Sequence, residues 1–218
     1  MMKISVITKV SFFLMTAIFL SCAQKPEEYA VIDTEEGQIV LKFFPDVAPK
    51  HVESFKILAR DGYFNGTSFH RIVPGFVIQG GDPNSKDGDR YNDGLGGRAG
   101  KYYGIGEKDN PDTWMLPAEF NDRPHRRGTL SMARGSHENS AGSQFFICVG
   151  DQFQLDNKYT VFGEVIEGLD TVDRIVETLT PRKRNPNYER PDGYNPVFGM
   201  FMDITIGTAE ELKLDLSI

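Results

Sequence analysis

Arg71, Phe76 and Gln79 stand five and three positions apart in the run Phe69-His70-Arg71-Ile72-Val73-Pro74-Gly75-Phe76-Val77-Ile78-Gln79-Gly80-Gly81-Asp82, among apolar residues of strand-like type. A guanidinium is a rigid, permanently charged fork of N–H donors, suited to hydrogen-bond donation. Two later runs accompany this one: Gly128-Thr129-Leu130-Ser131-Met132-Ala133-Arg134 and Gly142-Ser143-Gln144-Phe145-Phe146-Ile147-Cys148. Covalent and metal chemistry find no matching pattern. The chain has no Gly-x-Ser-x-Gly elbow and no His-Glu-x-x-His pair, and His51, His70, His125 and His137 lack metal-ligand spacing. His70 reads as a packing residue of the motif, and Cys148, within an apolar run, as a small buried hydrophobe. Residues 94–99 carry the letters of a dinucleotide fingerprint but follow Asp89-Arg90-Tyr91-Asn92-Asp93 where a strand is required. Asp82, Asn84, Asp87 and Asp89 look like part of a calcium loop, yet Lys86 occupies a ligand position. The expectation is a site with no cofactor and no metal.

The three runs together closely resemble the cyclophilin family of peptidyl-prolyl cis/trans isomerases. The resemblance covers about residues 29–208 and implies a chemistry without nucleophile or metal. Amide resonance holds an X-Pro bond planar behind a barrier of about 18–20 kcal/mol. A catalyst weakens that resonance with a donor aimed at the prolyl nitrogen, a dry cup for the ring, and hydrogen bonds to the flanking peptide. By resemblance, Arg71 is the catalytic donor, and Gln79 positions the arginine and the substrate. Phe76, Val77, Phe146 and Leu155 match the walls of the proline pocket, and Tyr159 its last position. Phe145 and Ile147 alternate with Phe146 and are expected to point into the core. Ala133 and Arg134 match the pair whose backbone holds the residue before proline, and Gln144 a further hydrogen-bonder of the groove. Many relatives have Asn in place of Arg134, so an extra cation here is expected to favour acidic flanks. Gln154 stands where drug-sensitive members carry Trp, which implies weak cyclosporin binding. The competing expectation is a proline-peptide-binding or chaperone module on the same fold with little catalysis.

The elements that must position these residues can be read from periodicity. Residues 29–34 and 38–44 form a hairpin around Glu35-Glu36-Gly37. Pro49 opens a helix with Val52, Phe55, Leu58 and Ala59 on one face, and Asp61-Gly62 stops it. A second helix is predicted at 169–179 from Val172, Ile175, Val176 and Leu179. Short strands are predicted at 67–72, 76–79, 128–132, 144–149, 160–166 and 199–206. Many strands and two helices imply a mainly all-β barrel or sandwich. The resemblance selects a closed eight-stranded antiparallel β-barrel with two capping α-helices. Insertions at about 83–113 and 180–198 depart from the family pattern, and their composition favours solvated spacers.

The 218 residues suit one such domain, followed by a tail at 209–218. A net charge of −7 argues against nucleic acid as partner, because phosphate binding needs a basic face. Met1-Met2-Lys3 and Lys9 precede an apolar stretch from Val10 to Leu20, too short to span a bilayer and fit for a secretory signal. Phe19-Leu20-Ser21-Cys22 resembles a bacterial lipobox; an ordinary signal peptide cut nearby is the alternative. Residues 1–21 are therefore read as signal peptide, Cys22 as the lipidation site, and 22–28 as a tether. The expected partners are proline-containing polypeptides and a membrane reached through the lipid on Cys22. The expected setting is the cell envelope, facing the periplasm or the outside, and the expected state a monomer.

Overall fold

Strands β1 (Glu28–Thr34) and β2 (Gly37–Phe43) form the predicted hairpin, pairing from Tyr29 with Lys42 to Thr34 with Gly37. The computed structural model describes residues 26–216. Alternation gives the hairpin two apolar faces. Ala30, Ile32, Ile39 and Leu41 enter the main core, while Tyr29, Val31 and Val40 meet Leu212, Leu214 and Leu216 of the C-terminal tail. The tail thus covers a sheet face that would otherwise be wet.

Helix α1 (Pro49–Arg60) turns Val52, Phe55, Leu58 and Ala59 inward. Phe55 is the hub of the core, its ring 5.0–5.6 Å from those of Phe43, Phe64, Phe145 and Phe162. Ala48 offers no side-chain cap. Glu119 supplies it from far along the chain, accepting from the Lys50 and His51 backbone N–H groups at 3.1 Å and contacting His51 Nδ1 at 2.7 Å.

The remaining strands are β3 (Thr67–Ser68), β4 (Arg71–Val73), β5 (Val77–Gly80), β6 (Thr129–Arg134), β7 (Ala141–Cys148), β8 (Val161–Glu167) and β9 (Phe201–Thr208). Among the described residues they make one antiparallel sheet in the order β3-β9-β1-β2-β8-β6-β7-β5-β4. The predicted strand 67–72 is interrupted at Phe69-His70. Its first half pairs with β9 and its second with β5, so the two ends of the sheet are joined by two residues. The sheet therefore curls round on itself, and counting 67–73 as one strand gives the expected eight.

Helix α2 (Leu169–Val176) packs on β2, β4 and β5, while α1 lies against β7, β8 and β9. It stops three residues before the predicted end. Glu177 N–H bonds back into the last turn, and Thr180 is extended because Pro181 follows it. A short helix α3 (Pro181–Arg184), capped by Thr180 Oγ1, was not foreseen.

The first insertion divides in two. Residues 101–113 are mostly exposed, as expected of a spacer. Residues 82–100 are pinned: Asp82, fully buried, accepts from the backbone N–H groups of Asn84, Gly94 and Gly96, and Ala99 is buried. The acidic run is thus organised around an inward-facing carboxylate.

Candidate functional site

Arg71 and Gln79 are directly opposed across the β4–β5 ladder, and Gln79 is opposed in turn to Phe146 on β7. The β4–β5 turn is tight, with Gly75 at φ +71° and Phe76 N–H donating to Val73 O. It holds Phe76 at the rim, under the Arg71 guanidinium at 5.6 Å. Arg71 Nη1 makes a long 3.4 Å contact to Gln79 Oε1. Gln79 Nε2 donates to Gln144 Oε1 at 3.0 Å, and Gln144 Nε2 to Gly96 O at 2.7 Å. Each amide accepts on one side and donates on the other, so the chain of contacts fixes the orientation of both glutamines. Its far end is a backbone carbonyl of the pinned insertion.

The contact to Gln79 is the one protein hydrogen bond of the Arg71 guanidinium among the described residues. Burial pushes its pKa down, yet the group remains charged. The guanidinium lines a cavity of about 100 Å³ together with Phe76, Val77, Gln79, Ala133, Arg134, Phe146, Leu155 and Tyr159. Val77, Phe146 and Cys148 form a small apolar cluster behind it, separate from the main core. Phe145 and Ile147 point to the opposite face and are fully buried. The β6–β7 register slips between Met132 and Arg134, where the single Ala133 faces Gly142, Ser143 and Gln144 of β7. An irregularity of this kind bends the strand that carries the extra residues and re-aims side chains beside the cavity. A permanently charged donor thus lines a cup the size of a small ring.

The family described as cyclophilin type peptidyl-prolyl cis-trans isomerase/CLD matches residues 29–191. A probable peptidyl-prolyl cis-trans isomerase of Brucella abortus is 42% identical over 159 residues, 73% of this chain and 76% of that protein. The chain belongs to the cyclophilin-type peptidyl-prolyl cis-trans isomerases. A peptidyl-prolyl cis-trans isomerase of Synechococcus elongatus is 39% identical over 155 residues, 67% of this chain and 92% of that one. Among solved structures, a Cryptosporidium parvum cyclophilin crystallised in the presence of the dipeptide Ala-Pro superposes with a TM-score of 0.65. It shares 29% identity, with 83% of this chain and 99% of that chain covered. This cyclophilin is accordingly an X-Pro isomerase.

Nine of the ten site residues expected from sequence line the cup, and Gln144 stands one hydrogen bond behind it. Arg134 lines the cup with its side chain anchored nearby. Its Nε and Nη2 donate to Lys158 O, its Nη1 to Gly135 O and Ser136 O, and it lies 4.9 Å from the Tyr159 ring. It clamps the loop carrying Tyr159, and most of its donors are engaged on carbonyls. Gln154 is exposed and bonded to Gln152, so the rim carries no large ring at that position.

Sequence reasoning passed over His125 as a residue without metal spacing. It is fully buried and stacked on Phe146 at 6.0 Å, with Nδ1 on Asp156 and Nε2 on Ser131 Oγ, and so supports the cup from behind. No local pattern signals this, because its partners lie 6 to 31 residues away. Burial pushes the Cys148 thiol up to about 12, which leaves it a packing group. The wider depression of about 430 Å³ beside Glu36 and Arg174 is an open, charged surface in which Arg174 is bonded to Asp170 and Glu36 O.

Proposed function

We propose that isomerisation proceeds in this cup without covalent chemistry, with Arg71 donating to the prolyl nitrogen as the bond twists. The pyrrolidine ring fills the space between Phe76, Val77, Phe146, Leu155 and Tyr159. Burying the ring there excludes water from the twisting amide and strengthens the donor. Gln79 is the positioning residue, acting through its contact to Arg71 and held in turn by Gln144. The residue before proline runs along the backbone of Ala133. The observation that carries this reading is a guanidinium with one long protein hydrogen bond among the described residues, lining the same cup as Phe76, Val77, Phe146 and Leu155. The Ala-Pro dipeptide present with the Cryptosporidium parvum relative supports proline-containing peptides as the ligand class.

The test is cis-to-trans conversion of a short X-Pro peptide by the wild type and by Arg71→Ala. The expected loss is about a hundredfold, or about 2.7 kcal/mol of barrier. Equal rates from both proteins would refute the donor role.

The substrates we infer are exported polypeptides, and the enzyme a lipid-anchored monomer of the cell envelope. Support comes from the basic start, the apolar stretch and Cys22, all of which lie outside the described residues. Mass spectrometry of the full chain expressed in a bacterium, with and without Cys22→Ala, tests the anchor. A diacylated Cys22 in the membrane fraction is expected, and an unmodified thiol there would contradict it.

A further inference from the structure

Behind the Arg71–Gln79 wall lies a second cavity, of about 240 Å³, that the isomerase mechanism does not use. The two insertions build it. Arg90, Asp93 and neighbours come from the first, and Asp192 and Tyr194 from the turn Pro191–Tyr194 of the second, which packs on β4. The insertions are tied together by Arg190 to the Tyr91 hydroxyl at 3.0 Å and by Asn195 to Asp93 Oδ2. The cavity wall is therefore fixed.

Its lining atoms are unusually short of partners. The Asp192 side chain is fully buried; Tyr188 donates to one oxygen at 2.9 Å, while among the described residues Oδ2 has a long ion pair with Arg90 and no hydrogen bond. Among the described residues, Asp93 Oδ1 is also unpartnered. A buried acceptor left empty destabilises the fold, and a charged one does so more. Asp93 shows that strain, since burial raises its pKa. The cation nearest to Asp192, Arg90, stands at 3.6 Å, beyond hydrogen-bond distance, with its Nη1 also unpartnered. Two carboxylate oxygens thus wait for a donor.

We propose that this cavity is a second substrate subsite that takes a lysine or arginine side chain from the residue one or two places after the proline. The position follows from topology and rests on the isomerase reading above. Arg71 and Gln79 line both cavities, so a chain leaving the cup across them is delivered to the second. Ala133, assigned to the residue before proline, lies on β6, separated from β4 by β7 and β5. The chemistry follows from the unpartnered atoms: an ammonium or guanidinium brings several donors to Asp93 and Asp192 together.

The test compares isomerisation of paired peptides by the intact enzyme. Lysine or norleucine, which share a stem and differ in charge, is placed one, two or four residues after proline. The expected result is a kcat/KM about tenfold higher for lysine at the first or second place, and no preference at the fourth. In Asp192→Asn and in Asp93→Asn the lysine-to-norleucine ratio is expected to fall towards one, the norleucine rate of each preparation serving as its own folding control. Brisk turnover with no lysine preference in the wild type would overturn the subsite and leave a cavity holding only water. A preference that survives both substitutions would overturn it as well. Failure to turn over any peptide would instead refute the isomerase reading, and the subsite with it.

Discussion

The proline cup and the cavity behind it share Arg71 and Gln79 but stand on different parts of the fold. The cup stands mostly on strands, with Phe76, Val77, Phe146 and Leu155 among its walls and Cys148 and His125 packed behind. The second cavity stands mostly on loops and brings in two carboxylates, Asp93 and Asp192, the first held by a residue 102 positions away. Strands impose alternation, so a cup wall can be read from residue type and parity. Loops impose nothing comparable, and polar side chains there find distant partners through the fold alone. One cavity is suited to a ring that every substrate has, the other to a side chain that only some have.

Breaking the cup should have the largest consequence for the fold. Phe146→Ala removes a wall that also packs on His125 and Tyr159, and should cost roughly 3–5 kcal/mol in urea unfolding. Asp82→Asn tests the loop side. With weakened acceptance from Gly94 and Gly96, stability should fall by about 2–3 kcal/mol. Hydrogen exchange at those two amides should rise, while the isomerase rate falls less than in Arg71→Ala.

His70 offers a pH handle on the same boundary. Burial holds it down to about 4 from the ordinary 6.5, with Asp82 opposing and Arg71 assisting. Between these values the unfolded chain binds a proton that the folded one refuses. The contribution is therefore complete above pH 6.5 and lost as the pH falls towards 4, by an amount on the order of 3 kcal/mol. Thermal melts at pH 7 and 4.5 should show a steeper loss in the wild type than in His70→Phe; equal losses would mean that His70 is hydrated. The smallest effect concerns the cup rim. Gln154→Trp should tighten cyclosporin binding about tenfold, the worth of one ring and one N–H donor.

The legible part of this chain is the part in which local pattern and contact coincide. Arg71, Phe76 and Gln79 sit on one hairpin, and Phe146 faces the cup because Phe145 and Ile147 face the core. Helix α1 announced itself by Pro49 and a one-sided apolar stripe, but its cap did not, since Glu119 reaches it across 69 residues. The interruption at Phe69-His70 was hidden because both halves are strand-like; only their different partners, β9 and β5, separate them. Arg134 reads from sequence as an extra cation in the groove, and its anchoring leaves no trace there because the carbonyls it clamps belong to residues of no particular type. The first insertion reads as a polar spacer by composition, and its outer half is one. Its inner half is fixed by Asp82, whose partners are backbone N–H groups and so leave no trace in side-chain identity.

The division of labour between Arg71 and the apolar cup is tested most directly by separating affinity from rate. Peptide titration and exchange spectroscopy by NMR give the dissociation constant and the on-enzyme isomerisation rate of one X-Pro peptide, in the wild type and in Arg71→Ala. The account predicts an on-enzyme rate about a hundredfold slower in the variant, with affinity changed by no more than about threefold. A variant that loses affinity a hundredfold but turns over its bound peptide as fast as the wild type would make Arg71 a wall of the cup and not its donor.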